Sequence, residues 1–158
     1  MTRLTVTQAR KMGLLGEKPK KKRSPRTTKA ILEAKRIENG VLLIIPENMP
    51  SLNVWKNWHW TKQARYKKYL TEIMADLTLI VGRTQYVKAR VEITHYHPVI
   101  RNRDSGDNYC PKFVLDSLRY AGFIQEDHSG ALQVPEPELL IDRLAWRTEI
   151  KITELEGE

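Results

Sequence analysis

From Tyr86 to His97 apolar and polar residues alternate. Val87, Ala89, Val91, Ile93 and His95 fall on one face, and Tyr86, Lys88, Arg90, Glu92 and Thr94 on the other. A period of two predicts a half-buried strand, and Pro98 ends it. A second alternation sets Leu140, Asp142, Leu144, Trp146, Thr148, Ile150 and Ile152 against Arg143, Arg147, Glu149 and Lys151. It predicts a last strand paired with an earlier one. The short apolar run Gly40 to Pro46 predicts a buried strand. The period changes between these strands: Leu70, Ile73, Met74 and Leu77 recur at helical spacing, predicting a helix from Thr61 to about Val81, closed by Gly82. A second helix-like run extends from about Asn108 or Pro111 to Ala121 and stops at Gly122. The order strand, helix, strand, helix, strand predicts an α/β domain, a small mixed β-sheet with helices packed on it.

The first 38 residues read differently. Glu17 to Lys29 is charged and Pro-containing, with too few apolar residues to pack, so it is expected to be flexible when free. Thr5 or Thr7 can cap a short helix through Met12. Thr27 or Thr28 can cap another through Ile31, Leu32 and Ile37, stopped by Asn39-Gly40. The organisation expected is therefore a basic, largely flexible N-terminal arm over 1–38 and a globular domain over 39–158.

Charge sharpens that division. The chain of 158 residues carries a net charge of +8. Residues 1–38 hold 12 Lys/Arg and 3 Glu, a net +9, whereas residues 39–158 hold 15 Lys/Arg and 16 Asp/Glu, a net −1. The basicity belongs to the arm, and its natural partner is a polyanion, most simply nucleic acid, bound without regard to sequence and with strong salt dependence. Lys20, Lys21, Lys22 and Arg23 are its densest cluster. The same four residues also fit a nuclear import signal, and a solubilising tail is the plainest alternative.

No apolar run approaches the length of a membrane span, and no signal-peptide pattern opens the chain. The single cysteine, Cys110, allows no internal disulfide and fits a reducing, cytoplasmic setting. His95 and His97 share a strand face, but no cysteine or third histidine is spaced to complete a zinc site with them. The segment Met49 to Trp60 places three tryptophans within six residues, with Lys56 and His59 among them. Trp55, Trp58 and Trp60 either stack on exposed bases or plug the core, and at least one is expected in the core. Lys62, Arg65, Lys67 and Lys68 lie off the apolar stripe of the following helix, either as a solvated face or in contact with phosphate.

The densest chemistry lies in Arg101 to His128. Asp104 and Asp107 sit in a turn with Ser105 and Gly106 directly after the alternating strand, and Glu126 and Asp127 follow the second helix. If that helix folds back on the strand, both acidic pairs arrive at one end, with Lys112 beside them. Carboxylates crowded in this way repel by roughly 4 kcal/mol per pair at about 4 Å in an effective dielectric near 20. A hard cation with oxygen ligands relieves that repulsion, which suits Mg²⁺. Ordinary turn chemistry for the aspartates and an i,i+4 pair between Lys112 and Asp116 are the plain alternatives.

These residues resemble the core pattern of the RusA-like Holliday junction resolvases, in which R-D-x-D-N precedes a lysine, x-x-x-D-x-L, a G-hydrophobic turn and D-D. The counterparts here are Arg103-Asp104, Asp107-Asn108, Lys112, Asp116, Leu118, Ala121-Gly122-Phe123 and Glu126-Asp127. Pro50, Ser51 and Asn53 resemble the family's early Pro-Ser-x-Asn loop. Two residues rather than one separate the first aspartates, and Lys112 lies one residue further from Asn108 than in the shortest form of the pattern. The resemblance implies a Mg²⁺-dependent endonuclease that resolves branched DNA, most specifically Holliday junctions, as a homodimer in a bacterial or phage-infected cell and with no small-molecule cofactor. It implies Asp104, Asp107 and Asp127 as metal ligands and catalytic residues, with Lys112 supporting charge at the phosphate. Arg101 and Arg103, flanking the site, are expected to meet the DNA backbone, together with the arm cluster and with Lys62 and Arg65. Asn108 either caps the helix or holds a ligand carboxylate. A flap- or fork-selective nuclease on the same scaffold and a non-catalytic nucleic-acid-binding module are the alternatives.

Overall fold

A computed structural model describes residues 31–82, 85–99, 109, 111–125 and 130–156. In chain order the elements are β1 (Glu33–Ile37), β2 (Gly40–Ile45), α1 (Leu52–Asn57), α2 (Trp60–Val81), β3 (Ala89–His97), α3 (Lys112–Ala121), β4 (Leu132–Gln133), β5 (Glu138–Ile141) and β6 (Arg147–Glu154). The strands form one mixed sheet in the order β1-β2-β6-β3, with β4 and β5 both paired to the outer edge of β3. Pairs on the β1 to β3 side are antiparallel, whereas β4 and β5 run parallel to β3. A parallel return needs a crossover connection, and α3 supplies it between β3 and β4.

The two alternating stretches of the sequence are the neighbouring strands β3 and β6, paired over eight residues from Ala89↔Glu154 to Tyr96↔Arg147. Their apolar faces point the same way. Ala89, Val91, Ile93, Ile150 and Ile152 join Val41, Leu43 and Ile45 of β2 beneath the helices. From above, Leu70, Ile73, Met74 and Leu77 of α2 and Phe113, Val114 and Leu118 of α3 close the core. The opposite face of the sheet presents Arg90, Glu92, Glu149 and Lys151, which line a shallow polar hollow with Leu42 and Thr94. Both helices end at the glycines read as stops: Gly82 (φ 82) after α2 and Gly122 (φ 90) after α3. Positive φ costs glycine least. Among the described residues no helix is long and apolar enough to cross a membrane.

Three expectations are corrected. The segment Glu33–Ile37 is a strand, not the end of a capped helix, so the sheet begins inside the stretch assigned to the arm. It forms a hairpin with β2 through Glu38 and Asn39, the latter at φ 58, a left-handed conformation that Asn tolerates. Arg36 also reaches across to donate to the Val81 carbonyl at the end of α2, where a helix leaves its acceptors unpaired. The alternating strand begins at Ala89, and Val87 is exposed ahead of it.

The last alternation is two strands, not one. Asp142 Oδ1 accepts from the Leu144 and Ala145 amides, both at 3.0 Å, and turns the chain between β5 and β6. Arg147 seals the turn. It donates to Asp142 Oδ2 and Glu149 Oε1, each at 2.8 Å, while its guanidinium lies 3.9 Å from the Tyr96 ring centre. These bonds to Asp142 hold its carboxyl below the usual carboxylate range.

Candidate functional site

β3 runs its apolar face up to His95, which is almost wholly buried at 2% exposure. Burial, with His97 close by, lowers the His95 imidazole to about 4, so it is neutral at physiological pH. Tyr109 stacks on that ring at 4.3 Å and 27°. Its hydroxyl lies 3.0 Å from His97 Nε2. The strand therefore hands the chain out at His97 and takes it back at Tyr109, with the two ends pinned together. Between them lie Arg101, Arg103, Asp104, Asp107 and Asn108, all outside the described residues. Neither periodicity nor charge pattern singles out Tyr109 in the sequence. The available signal was a lone aromatic at the close of a polar turn, directly before a helix.

Three residues after Tyr109, α3 begins. Its N-cap position falls on Pro111, which offers no side-chain hydrogen bond, and Lys112 is the first helical residue. Lys112 is exposed and Phe113 is buried. Phe113 stacks on Trp55 at 5.1 Å and 24°, which joins the start of α3 to the tryptophan segment. Lys112 thus stands between the pinned ends of the acidic stretch and the tryptophan corner. Among the described residues it makes no ion pair with Asp116, so the i,i+4 pairing is not formed. Asp116 is half-buried one turn along the helix.

The second acidic pair is approached from elsewhere. Glu126 and Asp127 lie outside the described residues, but their flanks are in view. The Gln125 amide donates to the Tyr86 carbonyl and the Tyr86 amide to the Phe123 carbonyl, at 3.0 and 2.9 Å. On the far side, the Ala89 amide donates to the Ala131 carbonyl at 3.0 Å. These anchors stand at the N-terminal end of β3, whereas His97, Tyr109 and Lys112 stand at its other end. At about 3.3 Å per residue the strand separates the two ends by roughly 26 Å. The helix does fold back on the strand, but the flanks of the two acidic pairs do not share one end. Among the described residues no three His, Cys, Asp or Glu gather as a metal-binding group.

The tryptophan segment resolves residue by residue. Ser51 caps α1 by accepting from the Val54 amide, and His59 Nδ1 accepts from the Thr61 amide at the start of α2. Trp55 is half-buried against Phe113, Tyr66 and Trp58. Trp58 packs edge-on to Tyr66 and carries Lys62 Nζ 4.2 Å from its ring centre. Among the described residues the buried Tyr66 hydroxyl and Asn48 Oδ1 have no hydrogen-bond partner. Burial pushes the Tyr66 phenol up, so it stays protonated. Trp60 is different: it is 71% exposed and touches the His59 ring at 5.5 Å. Lys62 and Arg65 are both exposed on α2. The arm residues Lys20, Lys21, Lys22 and Arg23 lie outside the described residues.

No family model matches this chain, and no curated protein matches it in sequence.

Proposed function

We propose that this protein is a Mg²⁺-dependent endonuclease that cleaves branched DNA, most specifically Holliday junctions. The observation that carries the reading is the run from Arg103 through Asp107-Asn108 and Lys112 to Asp127, with its likeness to the RusA-like resolvases. The fold offers it a setting. The alternating strand ends at His97, the chain returns at Tyr109, and an exposed lysine opens the next helix at that corner.

The donor set suits the metal in kind. Asp104, Asp107 and Asp127 carry hard oxygen donors, and the two imidazoles of β3, His95 and His97, are engaged with Tyr109. When bound, Mg²⁺ supplies an activated water and offsets the charge developing on phosphate. The chain's own part is electrostatic. Lys112 places an ammonium beside the phosphate, and Arg101 and Arg103 hold the DNA backbone. The basic arm adds affinity that fades with salt. Symmetric resolution of a junction takes two active sites, so the functional unit in this reading is a homodimer.

The test is cleavage of a mobile four-way junction in Mg²⁺ by the wild type and by Asp107→Asn, with binding measured alongside. The substitution removes a ligand charge and keeps the shape. Binding without cutting in the variant, against cutting in the wild type, supports the reading. Wild type that binds junctions, flaps and forks and cuts none of them overturns it in favour of a non-catalytic binding module. Asp127→Asn, run in parallel, is expected to abolish cutting as completely as Asp107→Asn, although the anchors of the two segments stand at opposite ends of β3.

A further inference from the structure

The domain is nearly neutral, but its charge is not evenly spread. From Asn48 to Thr71 it holds Lys56, Lys62, Arg65, Lys67 and Lys68 and not one Asp or Glu, a net +5. Residues 39–158 as a whole carry −1, so the rest of the domain carries −6. This stretch is α1, the bend at His59 and the first three turns of α2. Two of its five cations already lie over aromatic faces: Lys62 on Trp58, and Lys67 at 5.9 Å from Trp55. Arg65 and Lys68 are exposed, and among the described residues neither side chain forms an ion pair or hydrogen bond.

Helical spacing makes these two neighbours at i and i+3, with Lys68 about two turns along from Trp60. Leu70, Ile73, Met74 and Leu77 define the buried side of α2. At about 100° per residue, Trp60, Ala64 and Lys68 climb at i, i+4 and i+8 from the flank of the helix to the side opposite, where Thr61 and Arg65 lie beside Lys68. All but Thr61 are exposed. The Trp60 indole is 71% exposed, and among the described residues its ring contact is with His59, whereas Trp55 and Trp58 pack together with Tyr66. A flat apolar ring with Lys68 and Arg65 further along the helix, in a stretch that holds no carboxylate before Glu72, matches the chemistry of an unpaired nucleotide: a base with a π-face, joined to phosphates on either side.

We infer that the exposed face of α2 is a binding platform for single-stranded nucleic acid, in which Trp60 stacks an unpaired base and Arg65 and Lys68 hold the adjoining phosphates. It rests on the nucleic-acid partner of the proposed function but not on hydrolysis. Such a platform grips a strand that leaves the duplex, as strands do at a branch point. Duplex DNA, with its bases already stacked on one another, gives the indole nothing to hold.

The experiment compares affinity for a short oligothymidylate with affinity for an abasic oligonucleotide of equal length, in EDTA so that nothing is cut. The full chain is used. The basic arm binds both probes alike, because its contacts are to phosphate, so the ratio of the two affinities isolates the indole. Wild type is expected to prefer the thymidylate by about tenfold, the worth of one stacked base. Trp60→Ala abolishes the preference, and Trp60→Phe keeps most of it. Arg65→Gln with Lys68→Gln weakens both probes and lowers the salt slope by about 1.4, the share of two single-strand phosphate contacts. An unchanged preference in Trp60→Ala overturns the inference, as does equally strong competition by polyglutamate, which marks a general anion surface. Loss of the preference with junction cutting intact, or the reverse, separates this platform from the cleavage site. Because Trp60 is exposed, its variants are expected to keep the wild-type unfolding midpoint.

Discussion

Acid should unfold this protein through one imidazole. His95 is buried, faces the stacked Tyr109 ring and titrates at about 4 in the folded state. In the unfolded chain it titrates near 6.5. Because the folded value is the lower, the unfolded state binds the extra proton between those limits. The stability this represents is present above about pH 6.5 and is lost as pH falls towards 4. At about 1.4 kcal/mol per tenfold the full gap is worth about 3 kcal/mol, of which about 2 kcal/mol is gone by about pH 5. That is a large share of the stability of an ordinary domain.

The assay is chemical unfolding at several pH values between about 7 and 5, on the wild type and on His95→Phe. Phe keeps a ring against Tyr109 and cannot charge. The wild type is expected to lose about 2 kcal/mol more than the variant over that interval. Parallel loss in the two proteins would falsify the reasoning, because the pH dependence would then belong to other groups. Protonating His95 puts a charge in a buried site beside His97. The pinned ends of the 98–108 segment should therefore loosen before the rest of the sheet, visible as faster amide exchange at Tyr109 than at Val91 or Ile150.

Other perturbations test the frame that holds the corner. At Gly40 an added Cβ would sit 1.9 Å from the Ile152 carbonyl oxygen on the neighbouring strand. Gly40→Ala must therefore part β2 from β6 and is expected to cost about 3 kcal/mol or more in chemical unfolding; a midpoint within error of wild type would show the strands are not this close. Thr148 is fully buried and donates to the Glu47 carbonyl at 2.9 Å. Thr148→Val keeps the volume, removes that bond and should cost about 1 kcal/mol, read by the same unfolding titration. Burial at both sites means neither effect should depend on salt.

The residues themselves determined the period-two strands, the apolar stripe of α2 and the glycines that end both helices, because each depends only on neighbours along the chain. They also put a net +9 on residues 1–38 and −1 on the rest. What they could not reveal is what depends on partners distant in sequence. Glu33–Ile37 is rich in Ala, Glu, Lys and Arg, which favour helix locally, and only its pairing with β2 makes it a strand. Asp142 fits an alternating pattern until its carboxylate folds back on the Leu144 and Ala145 amides and divides one expected strand into two. Of the site, the sequence supplied the order of carboxylates and the lysine. The tertiary structure decided that Tyr109 closes the acidic segment on His95 and His97, and that Trp55 and Trp58 are packed while Trp60 is exposed. It also set the flanks of Asp127 at the other end of β3. Three tryptophans within six residues read alike along a chain. Only packing divides them, because burial is a property of what surrounds a side chain and not of the side chain itself.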